Sequence, residues 1–260
     1  MSISKSKIFD RISLKNFFKN GTIPNEKHFS FLIDSMTNKQ DDGINKDTEN
    51  GLILSATGKS KKILTIFKKV DDLDPFYFIE IDENGSNSLK LRPNLNLTED
   101  DLVKKSYYFD EDGSLSIGTK KEDDIKLNVG GFVSSEGRTG SYRKGTVPAD
   151  GKWHPIISNL NNCHAFEIIA RTGKKTTGRF SILHATALST FGRSNNKIRK
   201  TTAYYGSFLN KLNIRWKSYG TYNYELQLRS NRNYGDQTEI FYRVTDLWDD
   251  SQFLPEEYYY

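Results

Sequence analysis

Tyr222-Asn-Tyr-Glu-Leu-Gln-Leu228 alternates strictly, with Tyr222, Tyr224, Leu226 and Leu228 on one side and Asn223, Glu225 and Gln227 on the other. Successive side chains of a strand point to opposite faces, so the stretch predicts a half-buried β-strand whose aromatic and aliphatic face meets a core. Leu212–Trp216 and Thr238–Val244 nearly repeat the pattern, and Phe166–Ala170 and Phe180–Ala185 add two apolar runs. Five or more strands at such spacings predict an antiparallel, jelly-roll-like β-sandwich over residues 138–260. Within it, the polar, glycine-containing segment Ser189–Lys200 reads as a long loop, and Asp150-Gly151 before Trp153 as a tight turn.

Upstream, residues 44–137 hold shorter apolar pieces: Gly51–Leu54, Ile63–Phe67, Phe76–Ile81, Leu89–Leu91, and then Tyr107–Gly118 and Ile125–Val129. Asp42-Gly43, Asn50-Gly51 and Asn84-Gly85 punctuate them as turns. The recurrence is loose and has no fixed period. Each strand offers too little apolar area to fold alone, which predicts a segmented β shaft completed across a threefold axis. A small irregular β domain in a monomer is the alternative. In residues 1–43, His28, Phe29, Leu32, Ile33 and Met36 form one helical stripe, with Thr22 placed as N-cap and Pro24 in the first turn. Leu14–Phe18, closed by Asn20-Gly21, makes a second short amphipathic piece. Neither helix can build a core alone, so Phe29, Leu32, Ile33 and Met36 are expected to anchor and trimerise the chain. The fold class is therefore mainly β, with short N-terminal helices, a shaft and a sandwich head in an intertwined homotrimer.

Composition agrees with that division. Hydrophobic residues are 35% and charged residues 27% of 260, with a mean hydropathy of −0.67, values that fit an elongated chain or one that buries surface against copies of itself. Fourteen Tyr, 16 Phe and 3 Trp rule against disorder. Cys163 is the single cysteine, which excludes an intrachain disulfide framework. Met1–Arg11 has no apolar run, so no Sec signal is expected, and no window reaches the length of a membrane span. The chain reads as a soluble product of the bacterial cytoplasm with no membrane insertion. Its net charge of +5 is spread over Lys59–Lys62, Lys68-Lys69, Arg171–Lys175 and Lys197–Lys200, interrupted by Asp71–Asp74 and Glu122–Asp124. Dispersed pairs of this kind are solvated faces, and no nucleic-acid partner is expected.

Leu14-Lys-x-Phe-Phe-x-x-Gly-x-x-Pro, continuing through Phe29 and Leu32-Ile-Asp-Ser35 to Asn38-Lys-Gln-Asp-Asp-Gly43, resembles the N-terminal segment of tail-fibre-like proteins in Bacteroidetes phages and contractile injection systems. Asp112-Gly-Ser-Leu-Ser-Ile-Gly-Thr119 and Lys126-Leu-Asn-Val-Gly-Gly131 are similar to a shaft-to-head junction, and Pro148–His154, Cys163–Ile168 and Ala203–Gly206 to the accompanying head. The resemblance implies a non-enzymatic homotrimer attached to, or surrounding, a baseplate and assembled into a phage or phage-tail-like particle. Its head would contact a host-surface glycan or protein, or pack into a cage as a purely architectural subunit. The shaft is short for the family, which favours a stubby appendage. A carbohydrate-cleaving spike is the catalytic alternative.

Candidate residues carry bland readings beside the sharp ones. His154, His164 and His184 share no metal-ligand spacing, so no metal and no cofactor is expected. Cys163 and His164 are strand neighbours pointing apart, which argues against a dyad. Glu136, Asp150, Glu167, Glu225 and Glu239 are the carboxylates available to a glycosidase, and nothing pairs any two. Tyr204, Tyr205, Trp216, Tyr219 and Tyr222 form an aromatic concentration, either a receptor face or a subunit interface. Phe253, Tyr258, Tyr259 and Tyr260 make a sticky tail, expected to pack on another subunit, with a disordered end as the ordinary alternative.

Overall fold

The structure, a computed structural model, describes residues 9–39, 41–56, 59, 61–82, 87–235 and 237–258. Contacts divide the chain into two compact units, Met1–Val133 and Ser134–Tyr260.

The first unit opens with α1 (Arg11–Phe17) and α2 (Glu26–Asp34). Asp10 caps α1 by accepting from the Ser13 N–H at 2.7 Å. For α2 the cap is Asn25 and not Thr22: the Asn25 side chain accepts from the His28 N–H at 3.2 Å, and His28 Nδ1 accepts from the Asn25 N–H at 3.3 Å. This reciprocal pair satisfies two orphan donors at once. Thr22 instead closes α1, its hydroxyl donating to the Phe17 and Lys19 carbonyls. The helices meet through Phe17, stacked on His28 at 4.5 Å and flanked by Phe9 and Phe31.

Two antiparallel strands, β1 (Ile44–Asp47) and β2 (Gly51–Leu54), follow. A six-stranded sheet then runs in chain order: β3 (Lys62–Ile66), β4 (Tyr77–Asp82), β5 (Ser88–Pro93), β6 (Tyr107–Phe109), β7 (Leu115–Ile117) and β8 (Leu127–Val129). The helix α3 (Glu99–Val103) connects β5 to β6. All pairs are antiparallel except β7 with β8. The expected Asn84-Gly85 turn lies outside the described residues.

The second unit is a β-sandwich. Its strands are β9 (Arg143–Pro148), β10 (His154–Leu160), β11 (Cys163–Thr172), β12 (Phe180–Thr190), β13 (Lys197–Tyr205), β14 (Leu212–Gly220), β15 (Asn223–Ser230) and β16 (Glu239–Asp249), with α4 (Asp250–Phe253) at the end. Five form a sheet in the order β13-β12-β11-β16-β9 and three in the order β10-β15-β14, all antiparallel. Between the sheets lies one core: Phe166, Ile168, Leu183, Ile240 and Val244 from the larger, against Leu212, Ile214, Tyr224, Leu226 and Leu228 from the smaller. Tyr224 is buried to its hydroxyl, which donates to the Asn162 carbonyl and accepts from Ser189, and burial pushes its pKa up to about 12.

The segment Ser189–Lys200 corrects the sequence reading. β12 runs on to Thr190 and β13 starts at Lys197, pairing with β12 over nine residues, so the loop shrinks to 191–196. β13 is an edge strand, and edge strands carry charge to block further pairing; Lys197, Arg199 and Lys200 hid its strand character. Tyr222 is a second correction: it stands in the turn before β15, 71% exposed, and the inward alternation begins at Tyr224.

The neighbours Ile182 and Leu183 measure the two faces of β12, the first half-exposed and the second fully buried. Leu183→Ala should cost about 2–5 kcal/mol in urea unfolding, whereas Ile182→Ala should cost less than about 1 kcal/mol in a free subunit.

Candidate functional site

Alternation in the six-stranded sheet runs opposite to what an isolated subunit requires. In β5, Ser88 and Lys90 are buried and Leu89 is exposed; in β6, Tyr108 is buried between exposed Tyr107 and Phe109. In β7, Ser116 is 1% exposed while Leu115 and Ile117 are only partly covered. Register then assembles the outward side chains into continuous rows. One runs Leu64, Ile79, Leu91, Tyr107, Ile117, Val129, and the other Ile81, Leu89, Phe109, Leu115, Leu127. Phe109 is 49% and Leu127 57% exposed. The second face of the sheet is thus apolar, with Leu64, Leu89, Tyr107, Phe109 and Leu127 exposed and the other members of the rows half-buried, well beyond the scattered single hydrophobics of an ordinary surface.

The opposite face is held by charge. Lys62 and Arg92 lie 4.0 and 4.7 Å from the Phe78 ring centre, Lys90 lies 5.4 Å from that of Tyr108, and Arg92 binds Glu80 through two nitrogens at 2.5 and 3.1 Å. Among the described residues of this unit, Phe78 and Tyr108 are the only buried apolar side chains. A cleft of about 300 Å³ opens here, lined by Lys90, Tyr108, Asp110 and Lys121 among others.

Two further apolar faces are open. Phe29, Ile33 and Met36 are exposed on or just beyond α2, while Leu32 is half-buried. In the second unit the outer face of the five-stranded sheet shows Ile169, Ile182, Leu188 and Phe241 among Arg171, Arg243 and Lys144. Shallow hollows of about 540 and 350 Å³ flank Arg171.

The five aromatic candidates do not converge. Trp216 is half-buried against Phe166 and Tyr224. Tyr204 lies under Lys211 at 5.0 Å, Tyr205 meets Phe180, Tyr222 meets Phe191, and the Tyr219 hydroxyl donates to Glu225 at 2.9 Å. Phe253 stacks on Trp248 at 5.1 Å and Tyr258 is exposed; Tyr259 and Tyr260 lie outside the described residues.

The titratable candidates have separate partners. His154 pairs with Asp150 at 2.8 Å, and Glu167 is shared by His184 at 2.9 Å and Arg138 at 2.8 Å. Glu225 contacts Tyr219 and Gln227, and Glu239 accepts from Thr146. His164 stacks on Phe166 at 5.4 Å with both ring nitrogens buried and unpartnered. Among the described residues no group of three His, Cys, Asp or Glu side chains is placed to hold a metal ion, and no helix is long and apolar enough to cross a membrane. What the sequence missed is the face of the six-stranded sheet: its signal was present in Leu89-Lys-Leu91 and Tyr107-Tyr-Phe109, but which side is buried needs the register.

Comparison with protein-family models, curated proteins and solved structures gave no match.

Burial lowers the pKa of His164, against opposing pulls from Asp249 and Asp250. The unfolded chain therefore takes up this proton at a higher pH than the folded one, and stability present above about pH 6.5 falls as pH drops below it. His164→Phe keeps the stack and removes the orphan nitrogens. Thermal unfolding should show the variant more stable by about 1 kcal/mol, with a flatter pH dependence between about 7 and 5.

Proposed function

We propose that the chain is a non-catalytic structural and adhesive subunit that assembles with identical copies as a homotrimer. The observation that carries this reading is the reversed alternation of β5 and β7, continued by Tyr107 and Phe109 of β6, which leaves eleven apolar side chains of the two rows on an open face. Leaving that face in water forgoes about 25 cal/mol for each Å² that could be covered. A closed symmetric assembly covers it with the same surface from a neighbouring chain. α2 offers the matching feature at the N-terminus, where Phe29, Ile33 and Met36 face outward.

The N-terminal resemblance supports a place on the baseplate of a phage tail or contractile injection system, with the sandwich, jelly-roll-like in its expected topology, presented as the head. Three heads on one fibre raise weak single contacts with a host surface to useful avidity.

Chemical crosslinking of the full chain at micromolar concentration should give a three-subunit band. Replacing Leu89 and Phe109 with Lys should abolish it while leaving the near-UV signature of the sandwich intact. A crosslinked ladder unchanged by the two lysines would reject the interface. Retention of the purified trimer on a panel of intact Bacteroidetes cells then separates an adhesive head from an architectural one.

A further inference from the structure

The edge of the sandwich between β13 and β14 gathers positive charge that no carboxylate among the described residues pairs with. Lys200 on β13 reaches across to β14, where its ammonium donates to Asn213 Oδ1. The Asn213 amide donates in turn to Asn231 Oδ1, and the Asn231 N–H donates to the Lys211 carbonyl at 2.9 Å. Arg229 stands opposite Asn213 in the β14–β15 ladder. Its guanidinium lies 4.5 Å from the Trp153 ring centre, and that of Arg215 lies 4.2 Å from the same ring. Lys211 lies 5.0 Å from the ring centre of Tyr204.

None of Lys200, Lys211 and Arg229 forms an ion pair among the described residues. Arg229 Nε is buried and makes no hydrogen bond. Burial, and then the charges of Arg229 and Lys211, hold the Lys200 ammonium below the ordinary lysine range. Cations on a solvated face spread apart and titrate normally; these are fixed by rings and amides at a distance where they repel. Aromatic rings stabilise such cations without neutralising them, whereas an oxyanion both neutralises them and accepts their hydrogen bonds.

Resting on the adhesive reading of the head for its carrier, we propose that this cluster is an oxyanion site, taking a phosphate, sulfate or carboxylate group displayed on an acidic polysaccharide. Lys200, Lys211 and Arg229 are its cationic arms, and Trp153 and Tyr204 are the platforms that place them. The cluster is compact and suits one anionic group at a time; a nucleic acid would need a stripe of charge following its backbone. It shares no residue with the open apolar faces, so it stands or falls separately from the trimer.

The experiment is calorimetric titration of the full chain and of the Lys200→Gln/Arg229→Gln variant with a sulfated oligosaccharide, a polyuronate, inorganic phosphate and single-stranded DNA of equal charge, at one ionic strength. Gln at 200 retains a donor for Asn213. The wild-type chain should bind a polysaccharide ligand at least about tenfold more tightly than the DNA, and the variant should lose at least about tenfold of that affinity. Without ligand the variant should unfold at the same temperature or higher, because a repulsion has been removed. Equal affinity of the two proteins, tighter binding of DNA, a response to inorganic phosphate alone, or a variant that loses stability while binding unchanged would each overturn the proposal.

Discussion

A β-strand turns every second side chain to the same side, so a sheet with one apolar face must have that face covered or leave it in water. In the six-stranded sheet Ser88 and Lys90 of β5, Tyr108 of β6 and Ser116 of β7 are inside the subunit, while Leu89, Tyr107, Phe109, Leu115 and Ile117 lie on the other face. Shifting the pairing by one residue would reverse every side chain at once, so the arrangement cannot be relieved strand by strand. Within the subunit Phe78 and Tyr108 are stabilised by lysine and arginine stems and charges, with Glu80 balancing Arg92. Each of these contacts contributes about 0.5–2 kcal/mol, which orders a face without replacing an aliphatic core.

The sandwich unit obeys the opposite rule. Its inner alternation is apolar in β11, β12, β14, β15 and β16, and the core from Phe166 to Leu228 closes without borrowing. Ile169, Ile182 and Phe241 on its outer sheet face are exposed, so even this self-sufficient unit leaves apolar side chains in water, now mixed with arginines. Mixed apolar and guanidinium surfaces suit contacts that form and part, whereas the uniform face of the six-stranded sheet suits a permanent one.

Much of the fold was readable in the sequence wherever the alternation was strong. Leu212–Trp216, Phe166–Ala170 and the run ending at Leu228 have their strands where the period placed them. β13 was not legible, because Lys197, Arg199 and Lys200 give an edge strand the composition of a loop, and neither was the cap of α2, because His28 as the reciprocal partner of Asn25 is a geometric fact. Tyr204, Tyr205, Trp216, Tyr219 and Tyr222 are close in sequence, and the structure sets them on different faces and turns, where the pleat separates them. Alternation reveals that a strand has two faces; register and partners decide which one is inside.

Hydrogen exchange followed across a dilution series tests the proposed dependence on identical chains most directly, because it reports protection strand by strand. The account predicts that amides of β4, β5 and β6 are protected at micromolar concentration and lose protection on dilution to nanomolar, while those of β11, β12 and β15 do not change. Protection of the six-stranded sheet that persists undiminished in a dissociated single subunit would contradict it.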